Sequence, residues 1–233
     1  MPSDLRVTQL SRLPHFDPRR IPVQGVDSHL PAVRPALLQP EALRQRFAAL
    51  PSWTPELLVE KRFVDGVPVH ASVLIPIVMR ERPTVLLTER ATHLSTHSGQ
   101  IAFPGGKADV SDTDAAATAL REAQEEVGLD PALAHVLGLM PHYVTGSAFV
   151  ITPVIALVET SFVLRPNAAE VADVFEVPLE FLMNPAHHRR HVFHWEGICR
   201  EWFSMPYQEA TGERFIWGAT AGMLRNFYRL LSA

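Results

Sequence analysis

Three glutamates stand within five residues of one another in the segment REAQEEVGL, residues 121–129. They are Glu122, Glu125 and Glu126, and Arg121 directly precedes them. Like charges three or four residues apart destabilise an exposed helix by roughly a few tenths of a kcal/mol per pair, and Arg121 offsets only part of this through Glu125. Oxygen ligands on one rigid face suit Mg²⁺ or Mn²⁺, which complete their coordination with water and substrate phosphates. The spacing therefore predicts a divalent metal site that receives a diphosphate.

The glutamates are predicted to lie on a helix in the segment SDTDAAATALREAQEEVGL. Ser111 with Asp114 three residues later resembles a capping box, and Gly128 stands where a left-handed residue would end the helix. At about 100° of rotation per residue, the carboxylates share one face and an apolar stripe lies almost opposite. The apolar stripe consists of Ala116, Leu120, Ala123 and Val127.

A glycine turn, FPGG, precedes this helix. Gly105 and Gly106 allow the backbone to approach a ligand closely and offer carbonyl or amide groups to a metal or a phosphate. An arbitrary run of glutamates most often only solvates an exposed helix. Here the glycine turn, the capped start and the three-carboxylate face form one unit, which favours a metal site over a solvated surface.

Short aliphatic runs around the helix predict the strands that must position it. The first two, separated by the turn-like RERP, are read as neighbours in one sheet, and GATAGMLRNFYRLLSA near the end has the apolar spacing of a closing helix. The fold class expected from these elements is α/β. The predicted strand segments are ASVLIPIVM, TVLLTER, AHVLGLM, FVITPVIALV and RHVFHW.

The first seventy residues hold half of the twenty prolines. Because each proline removes a backbone donor, residues 1–38 are expected to be irregular. One short helix is predicted from Pro40 up to Pro51. The chain is therefore divided into a proline-rich N-terminal extension, residues 1–69, and a main domain, residues 70–233.

The composition limits the classes of function. The net charge of −4 carries no basic excess for a nucleic acid polymer, and no apolar run is long enough to cross a membrane. The single cysteine, Cys199, excludes an intrachain disulfide framework, and the first residues hold no apolar leader segment. A cytoplasmic protein is expected, and a homodimer and a monomer both remain open.

The segment from Gly106 to Leu129 resembles the signature box of the Nudix hydrolases, which cleave nucleoside diphosphates linked to another moiety. REAQEEVGL fits the pattern R-E-apolar-x-E-E-x-G-apolar at every position. The resemblance implies an α/β/α sandwich around a mixed β-sheet. It also implies that the three glutamates, with the backbone of Gly106, bind Mg²⁺ or Mn²⁺, that Arg121 orients the cluster, and that Glu125 or a glutamate outside the box activates the attacking water.

The first half of the box departs from the commonest pattern, because Thr113 stands where a glutamate is usual and the spacing from Gly106 to Arg121 is one residue longer. Upstream, LLTERATHLSTHSGQIAFPGG is similar to the coenzyme A pyrophosphatase branch, whose members share this lengthened box. Ser95 stands where that branch has an arginine, and Arg90 remains as a candidate phosphate contact. The resemblance covers residues 70–230.

The function implied by the resemblance is metal-dependent hydrolysis of coenzyme A, or of its derivatives, to 4′-phosphopantetheine and 3′,5′-ADP. Glu170 and Glu176 are candidates for an additional base or ligand, and Arg90, Gly105 and His97 are candidates for substrate binding. One alternative is a Nudix hydrolase of ADP-ribose, a dinucleotide or an oxidised nucleotide. The other is a nucleotide-sensing Nudix module without turnover, although such modules commonly lose box carboxylates.

Other polar residues have simpler interpretations. His93 and His97 are four residues apart, yet spacing places no third zinc ligand, so substrate contact or a plain loop is favoured. The basic run HHRRH, residues 187–191, is read as a solvated loop, with contact to a 3′-phosphate as the alternative. Cys199 has no catalytic pattern around it and is assigned a structural role.

Overall fold

The computed structural model describes residues 16–57, 59–60, 67–94, 97–195 and 198–233. Four α-helices and twelve strands are found within these ranges. The helices are α1 Pro40–Ala48, α2 Ala115–Val127, α3 Leu179–Leu182 and α4 Gly218–Leu231. The strands are β1 Val23–Val26, β2 Val69–Val78, β3 Thr84–Arg90, β4 Ile101–Ala102, β5 Gly105–Lys107, β6 Ala134–Leu139, β7 Tyr143–Val144, β8 Phe149–Val158, β9 Val171–Pro178, β10 Arg189–Trp195, β11 Ile198–Glu209 and β12 Gly212–Trp217.

The larger of two sheets is mixed and carries the predicted site. Its main path runs β4-β3-β2-β8-β6, while β5 pairs with β2, β7 with β8, and β9 with β3. Strands β2 and β8 are parallel over their full length, and the other pairs are antiparallel. Because β5 carries the glycine turn, its pairing with β2 holds the start of the signature box against the centre of the sheet.

Two apolar cores lie on opposite faces of this sheet. Leu74 packs with Ala119, Ala123 and Val127 of α2, while Ile75, the next residue along β2, belongs to the core formed with α4. Successive strand residues point to opposite faces, so β2 contributes to both cores. The arrangement places α2 on one face and α4, with the smaller sheet, on the other. The expected α/β class with a mixed sheet is confirmed.

The smaller sheet is antiparallel, in the order β1-β10-β11-β12. Its edge strand β1 corrects the expectation that residues 1–38 are irregular, since Val23–Val26 pairs with β10. Proline removes one backbone donor without preventing regular structure: Pro18 and Pro35 begin two 3-10 turns, and Pro76 and Pro153 lie within β2 and β8. The helix predicted from Pro40 is present as α1, and its Leu43 is fully buried.

The strands expected from the five aliphatic runs are confirmed as β2, β3, β6, β8 and β10, and the closing helix as α4. Strands β9, β11 and β12 were not foreseen, because their residues mix charged and aromatic side chains without a plain alternation. Of the helices in the described ranges, none is both long and apolar enough to cross a membrane.

Candidate active site

Helix α2 begins and ends at residues that fix its place beside the glycine turn. Asp114 is the N-cap, and its side chain accepts a hydrogen bond from the amide of Ala117 at 2.8 Å. The predicted cap, Ser111, is wrong: it donates instead to Asp109 within the preceding loop. At the other end Gly128 adopts the left-handed conformation, with φ of 70°, as its position predicted.

The three glutamates of the box lie in different environments. Glu126 is buried, with 4% of its surface exposed, whereas Glu122 is half-buried and Glu125 is exposed. Burial raises the pKa of Glu126 to about 7, and nearby Glu170 and Glu122 contribute to the rise. Burial also raises the pKa of Glu122. Ionising Glu122 and Glu126 together is therefore unfavourable unless a positive charge lies nearby.

Glu126 connects the helix to the glycine turn and to β3. Its Oε2 accepts a hydrogen bond from the amide of Gly105 at 3.1 Å, and its Oε1 lies 3.8 Å from Nη1 of Arg90. Nε of Arg90 is buried and finds no hydrogen-bond partner within the described residues. Gly105 itself has no room for a side chain, since a Cβ would meet the backbone of Ser72 and Val73. Arg90 and Gly105, both predicted to bind substrate, thus lie beside a predicted metal ligand.

Glu122 lies directly over Gly106. A Cβ at this glycine would overlap the Glu122 carboxylate, so the residue must be glycine for that carboxylate to stay where it is. The same carboxylate accepts from Nη1 of Arg121 at 2.9 Å. Gly106 and Glu122, both predicted to belong to the metal site, are therefore in contact.

Arg121 is held from several sides at the surface end of the cluster. It bonds Asp112 through Nε at 2.9 Å and Nη2 at 3.0 Å, and Nη2 also donates to the carbonyl of Lys107. The guanidinium lowers the pKa of Asp112 well below its usual range. Nη1 reaches Glu125 at 3.2 Å, which is the predicted i,i+4 pair. Asp112 therefore anchors the arginine in a box that lacks the usual glutamate at position 113.

Glu170 approaches the cluster from the turn before β9. Its Oε1 accepts from Asn167 at 3.2 Å, and its charge acts on both Glu122 and Glu126. The amide of Asn167 donates to the carbonyl of Glu126 at 2.8 Å, which ties this turn to the end of α2. Of the two downstream glutamates named from the sequence, Glu170 lies close enough to act on the box carboxylates, and its role as a base or ligand stays a prediction.

Glu176 is not brought to this site. It bonds Arg80 at 2.6 Å and Thr84, at the beginning of β3, whereas Glu170 lies beside Ala91, after β3 has ended. The sequence could not separate the two glutamates, because both are acidic and strand β9, which carries Glu176, was not predicted. The hypothesis that Glu176 supplies a base or ligand is corrected.

The histidines beside the glycine loop have separate hydrogen-bond partners. His93 bonds the carbonyl of Ala169 at 3.1 Å, while His97 bonds Gln100 at 2.8 Å in the left-handed backbone conformation, with φ of 56°. His97 lies on the exposed loop before β4, and its substrate role stays a prediction. Ser95, the departure from the branch pattern, lies outside the described residues.

The basic run 187–191 is not a solvated loop. His188 is fully buried and His191 is 3% exposed, because β10 carries this segment into the smaller sheet. Arg190 bonds Asp27 at 2.9 Å and Glu56 at 2.6 Å, so it is committed to the N-terminal segment. This arrangement also gives no support to a 3′-phosphate contact. Cys199 is exposed on β11.

The donor set fits a hard divalent cation, although the carboxylates of the described residues do not face a common point. Across the described part of the chain, no three His, Cys, Asp or Glu side chains are arranged to hold a metal ion. Arg121 instead engages Glu122 and Glu125, and Glu126 faces Gly105. Carboxylate oxygens beside a glycine backbone are the ligands that Mg²⁺ and Mn²⁺ prefer. The metal roles of these residues stay predictions.

Two residues of the site were not assigned a role from the sequence. Asp112 was noted only as a neighbour of Thr113, and its reach back to an arginine nine residues later depends on how the loop folds. Asn167 belongs to a turn with no motif. The signal for Asp112 was its charge beside a missing glutamate, whereas nothing in the sequence pointed to Asn167.

Comparisons with known proteins found matches by sequence and by structure. The sequence profile of the NUDIX domain matches residues 68–206. NudL, a Nudix hydrolase of Yersinia pestis (strain Pestoides F), is 39% identical over 176 residues, which are 76% of this chain and 86% of NudL. The structural match to the M. smegmatis Nudix hydrolase RenU covers 55% of this chain and 80% of the RenU chain, with 23% sequence identity and a TM-score of 0.43. The match to a C. elegans Ap4A hydrolase covers 51% of this chain and 85% of the hydrolase chain, with 18% sequence identity and a TM-score of 0.41.

Proposed function

The chain belongs to the Nudix family of pyrophosphohydrolases, and on this premise we propose that its substrate is coenzyme A or a derivative. Hydrolysis of the diphosphate then yields 4′-phosphopantetheine, or its acyl form, and 3′,5′-ADP. The observation that carries the proposal is the contact of Glu126 with both Gly105 and Arg90. This contact brings together a carboxylate that can bind a metal ion, the Gly105 backbone that a phosphate can approach, and the Arg90 guanidinium that can bind that phosphate.

Nudix hydrolases generally use a divalent metal ion, and in this chain Glu122, Glu125, Glu126 and the backbone of Gly106 would hold Mg²⁺ or Mn²⁺. Such an ion neutralises a diphosphate and lowers the pKa of a bound water. The raised pKa values of Glu122 and Glu126 support this assignment, since a nearby cation would relieve the cost of ionising a half-buried and a buried carboxylate together.

Other residues of the site position the carboxylates, bind phosphate and accept a proton. Arg121, fixed by Asp112, keeps Glu122 and Glu125 at the surface end of the cluster. Arg90 binds a phosphate oxygen through the guanidinium, whose Nε has no partner among the described residues. Glu125 or Glu170 accepts a proton from the attacking water, whose oxygen forms the new bond to phosphorus as the bond to the bridging oxygen breaks.

The preference for coenzyme A is supported by the segment before the glycine turn. Residues 86–106 are similar to the coenzyme A pyrophosphatase branch, and the structure puts their Arg90, Gly105 and Gly106 against the carboxylates. Residues 70–233 are proposed as the catalytic domain and residues 1–69 as an extension packed on it. The profile match over residues 68–206 is consistent with this division.

The proposal is tested by turnover of coenzyme A, ADP-ribose, NADH and 8-oxo-dGTP with Mg²⁺ or Mn²⁺, with products resolved chromatographically. Wild type is compared with Glu126→Gln and with Glu81→Gln, an exposed matched control. We expect 3′,5′-ADP from coenzyme A with wild type and the control, and a rate at least about 10²-fold lower with Glu126→Gln. Turnover of another substrate alone would refute the coenzyme A assignment. No turnover of any compound would favour a nucleotide-sensing module.

A further inference from the structure

A polar pocket lies beside the first turns of α2. Its volume is about 230 Å³. The floor consists of three hydroxyl side chains, each less than one-tenth exposed, which we call the hydroxyl floor: Ser72 of β2, Thr118 of α2 and Thr152 of β8. Hydroxyls on the floor of a concave space are groups that recognise other hydrogen-bonding groups.

Ser72 distinguishes this pocket from an ordinary surface hollow. It is 3% exposed and lines the space, yet its hydroxyl makes no hydrogen bond with any described residue. Thr152 bonds His142 at 2.9 Å, and Thr118 bonds the carbonyl of Asp114 at 3.3 Å, so the other two hydroxyls have partners. The Ser72 hydroxyl is therefore free to bond a group that enters the pocket.

The pocket adjoins the carboxylate cluster through the sheet. Ser72 stands directly opposite Gly106 in the β2–β5 pair. Opposed residues of an antiparallel pair project to the same face, with Cβ positions about 5 Å apart. Glu122 occupies the place where a Cβ of Gly106 would lie, so Ser72 is the neighbour of a predicted metal ligand. A molecule held by its diphosphate at the cluster can extend directly into the pocket.

The rim decides which half of such a molecule enters. It contains Asp109, Asp112 and Asp114 together with His70, and of the three carboxylates the guanidinium of Arg121 bonds only Asp112. Asp109 and Asp114 each use one oxygen in a local hydrogen bond and keep another for a donor. This rim repels the phosphorylated nucleotide half of coenzyme A and attracts a neutral chain with hydroxyl and amide donors. The volume is below that of a whole-ligand pocket, which is about 300 Å³ or more, and fits one arm.

We propose that this pocket binds the uncharged pantetheine arm of the substrate, with Ser72 as a specificity-determining residue. The pantetheine arm carries a hydroxyl and two amides, which match the carboxylate rim and the hydroxyl floor. The inference rests on the proposed coenzyme A hydrolysis, because it names the part of that substrate which the pocket selects. The nucleotide half then lies on the side of Arg90.

The test compares steady-state hydrolysis of coenzyme A by wild type, Ser72→Thr and Ser72→Val. The two variants have the same shape and differ only in the hydroxyl, and Ser161→Val, in an exposed turn, controls for the chemical change. We expect the KM for coenzyme A to be about tenfold higher for Ser72→Val than for Ser72→Thr, with kcat within about twofold. The inhibition constant of 3′,5′-ADP should be equal in both variants.

Two results would overturn the inference while leaving the hydrolysis intact. One is an equal KM in the two variants, and the other is a parallel loss of 3′,5′-ADP binding, which would show a general disturbance of the site. If wild type does not hydrolyse coenzyme A, the proposed function fails first, and pantetheine alone becomes the probe. Calorimetric binding of pantetheine to wild type that is lost in Ser72→Val would then support the pocket, and no binding to wild type would refute it.

Discussion

Replacing Gly106 with alanine adds a single carbon at the point where the backbone touches the Glu122 carboxylate. The new Cβ would overlap all three atoms of the carboxylate group, and Oε1, the farthest of them, would lie 2.6 Å away. Because ordinary contacts begin at 3.4 Å, the carboxylate has to retreat by at least about 0.8 Å. The backbone can accept alanine, because φ of Gly106 is not in the left-handed region. The substitution therefore moves one carboxylate with little cost to the fold.

A displacement of about 1 Å at a catalytic group lowers rates by about 10²-fold. We therefore expect kcat of Gly106→Ala to fall by roughly this factor, with the free energy of unfolding within about 1 kcal/mol of wild type, because the displaced atoms belong to the end of a flexible side chain. The assay combines hydrolysis at saturating Mg²⁺ with urea unfolding. Gly25→Ala is the matched control, since its Cβ would meet nothing within 4 Å.

A Gly106→Ala enzyme with kcat within about threefold of wild type would refute the assignment of Glu122 as a positioned ligand. Equal losses in Gly106→Ala and Gly25→Ala would instead show that the assay reports a general effect of alanine. A large loss of stability in Gly106→Ala alone would show that the glycine is needed for folding rather than for the position of the carboxylate.

Three further outcomes are expected. Arg225→Met should lower the unfolding free energy by about 3–5 kcal/mol in urea titrations, because buried Arg225 neutralises Asp27 and Glu56. Arg82→Met, at an exposed pair, is the matched control and should leave the urea midpoint nearly unchanged. Burial and neighbouring Arg225 lower the pKa of His188 from 6.5 to about 4, so the unfolded chain binds the proton first. Stability should be full above pH 6.5 and fall by roughly 3 kcal/mol down to pH 4, a loss that His188→Gln removes. Saturating Mg²⁺, at about a hundred times its Kd, should stabilise the protein by about 2.7 kcal/mol in thermal unfolding, and an unchanged midpoint would contradict the metal site.

The site could be predicted from the sequence wherever its residues are close along the chain. Glu122, Glu125 and Glu126 share a helix whose period fixes their spacing, and Gly105 and Gly106 directly precede that helix. The contacts from Arg90 and Glu170 required the pairing of β3 with β9, which spans more than eighty residues of sequence. Local patterns carry no information about such pairing, and only the family resemblance pointed to these two residues.

Burial was the property that the sequence concealed. Helical periodicity separated the carboxylates from the apolar stripe, yet Glu126 lies 4% exposed, because the glycine turn and Arg90 cover it from outside the helix. The run 187–191 was misread for the same reason: basic and imidazole groups are typical of solvated loops, whereas here buried His191 bonds the carbonyl of Ile21, and Arg190 pairs with Asp27 and Glu56. Both corrections concern partners distant in sequence, and the fold alone brings them together.

The N-terminal segment belongs to the folded core, although it lies outside the part of the chain that the family profile matches. The profile begins at residue 68, yet Leu38 and Leu43 belong to the core that α4 completes, and β1 closes the edge of the smaller sheet. Asp27 and Glu56 supply the counter-charges for Arg225, which is 1% exposed. A chain that begins at residue 68 would leave buried Arg225 without its carboxylate partners and would expose apolar core residues to solvent. We therefore expect such a shortened chain to aggregate, even though it keeps the predicted active-site residues.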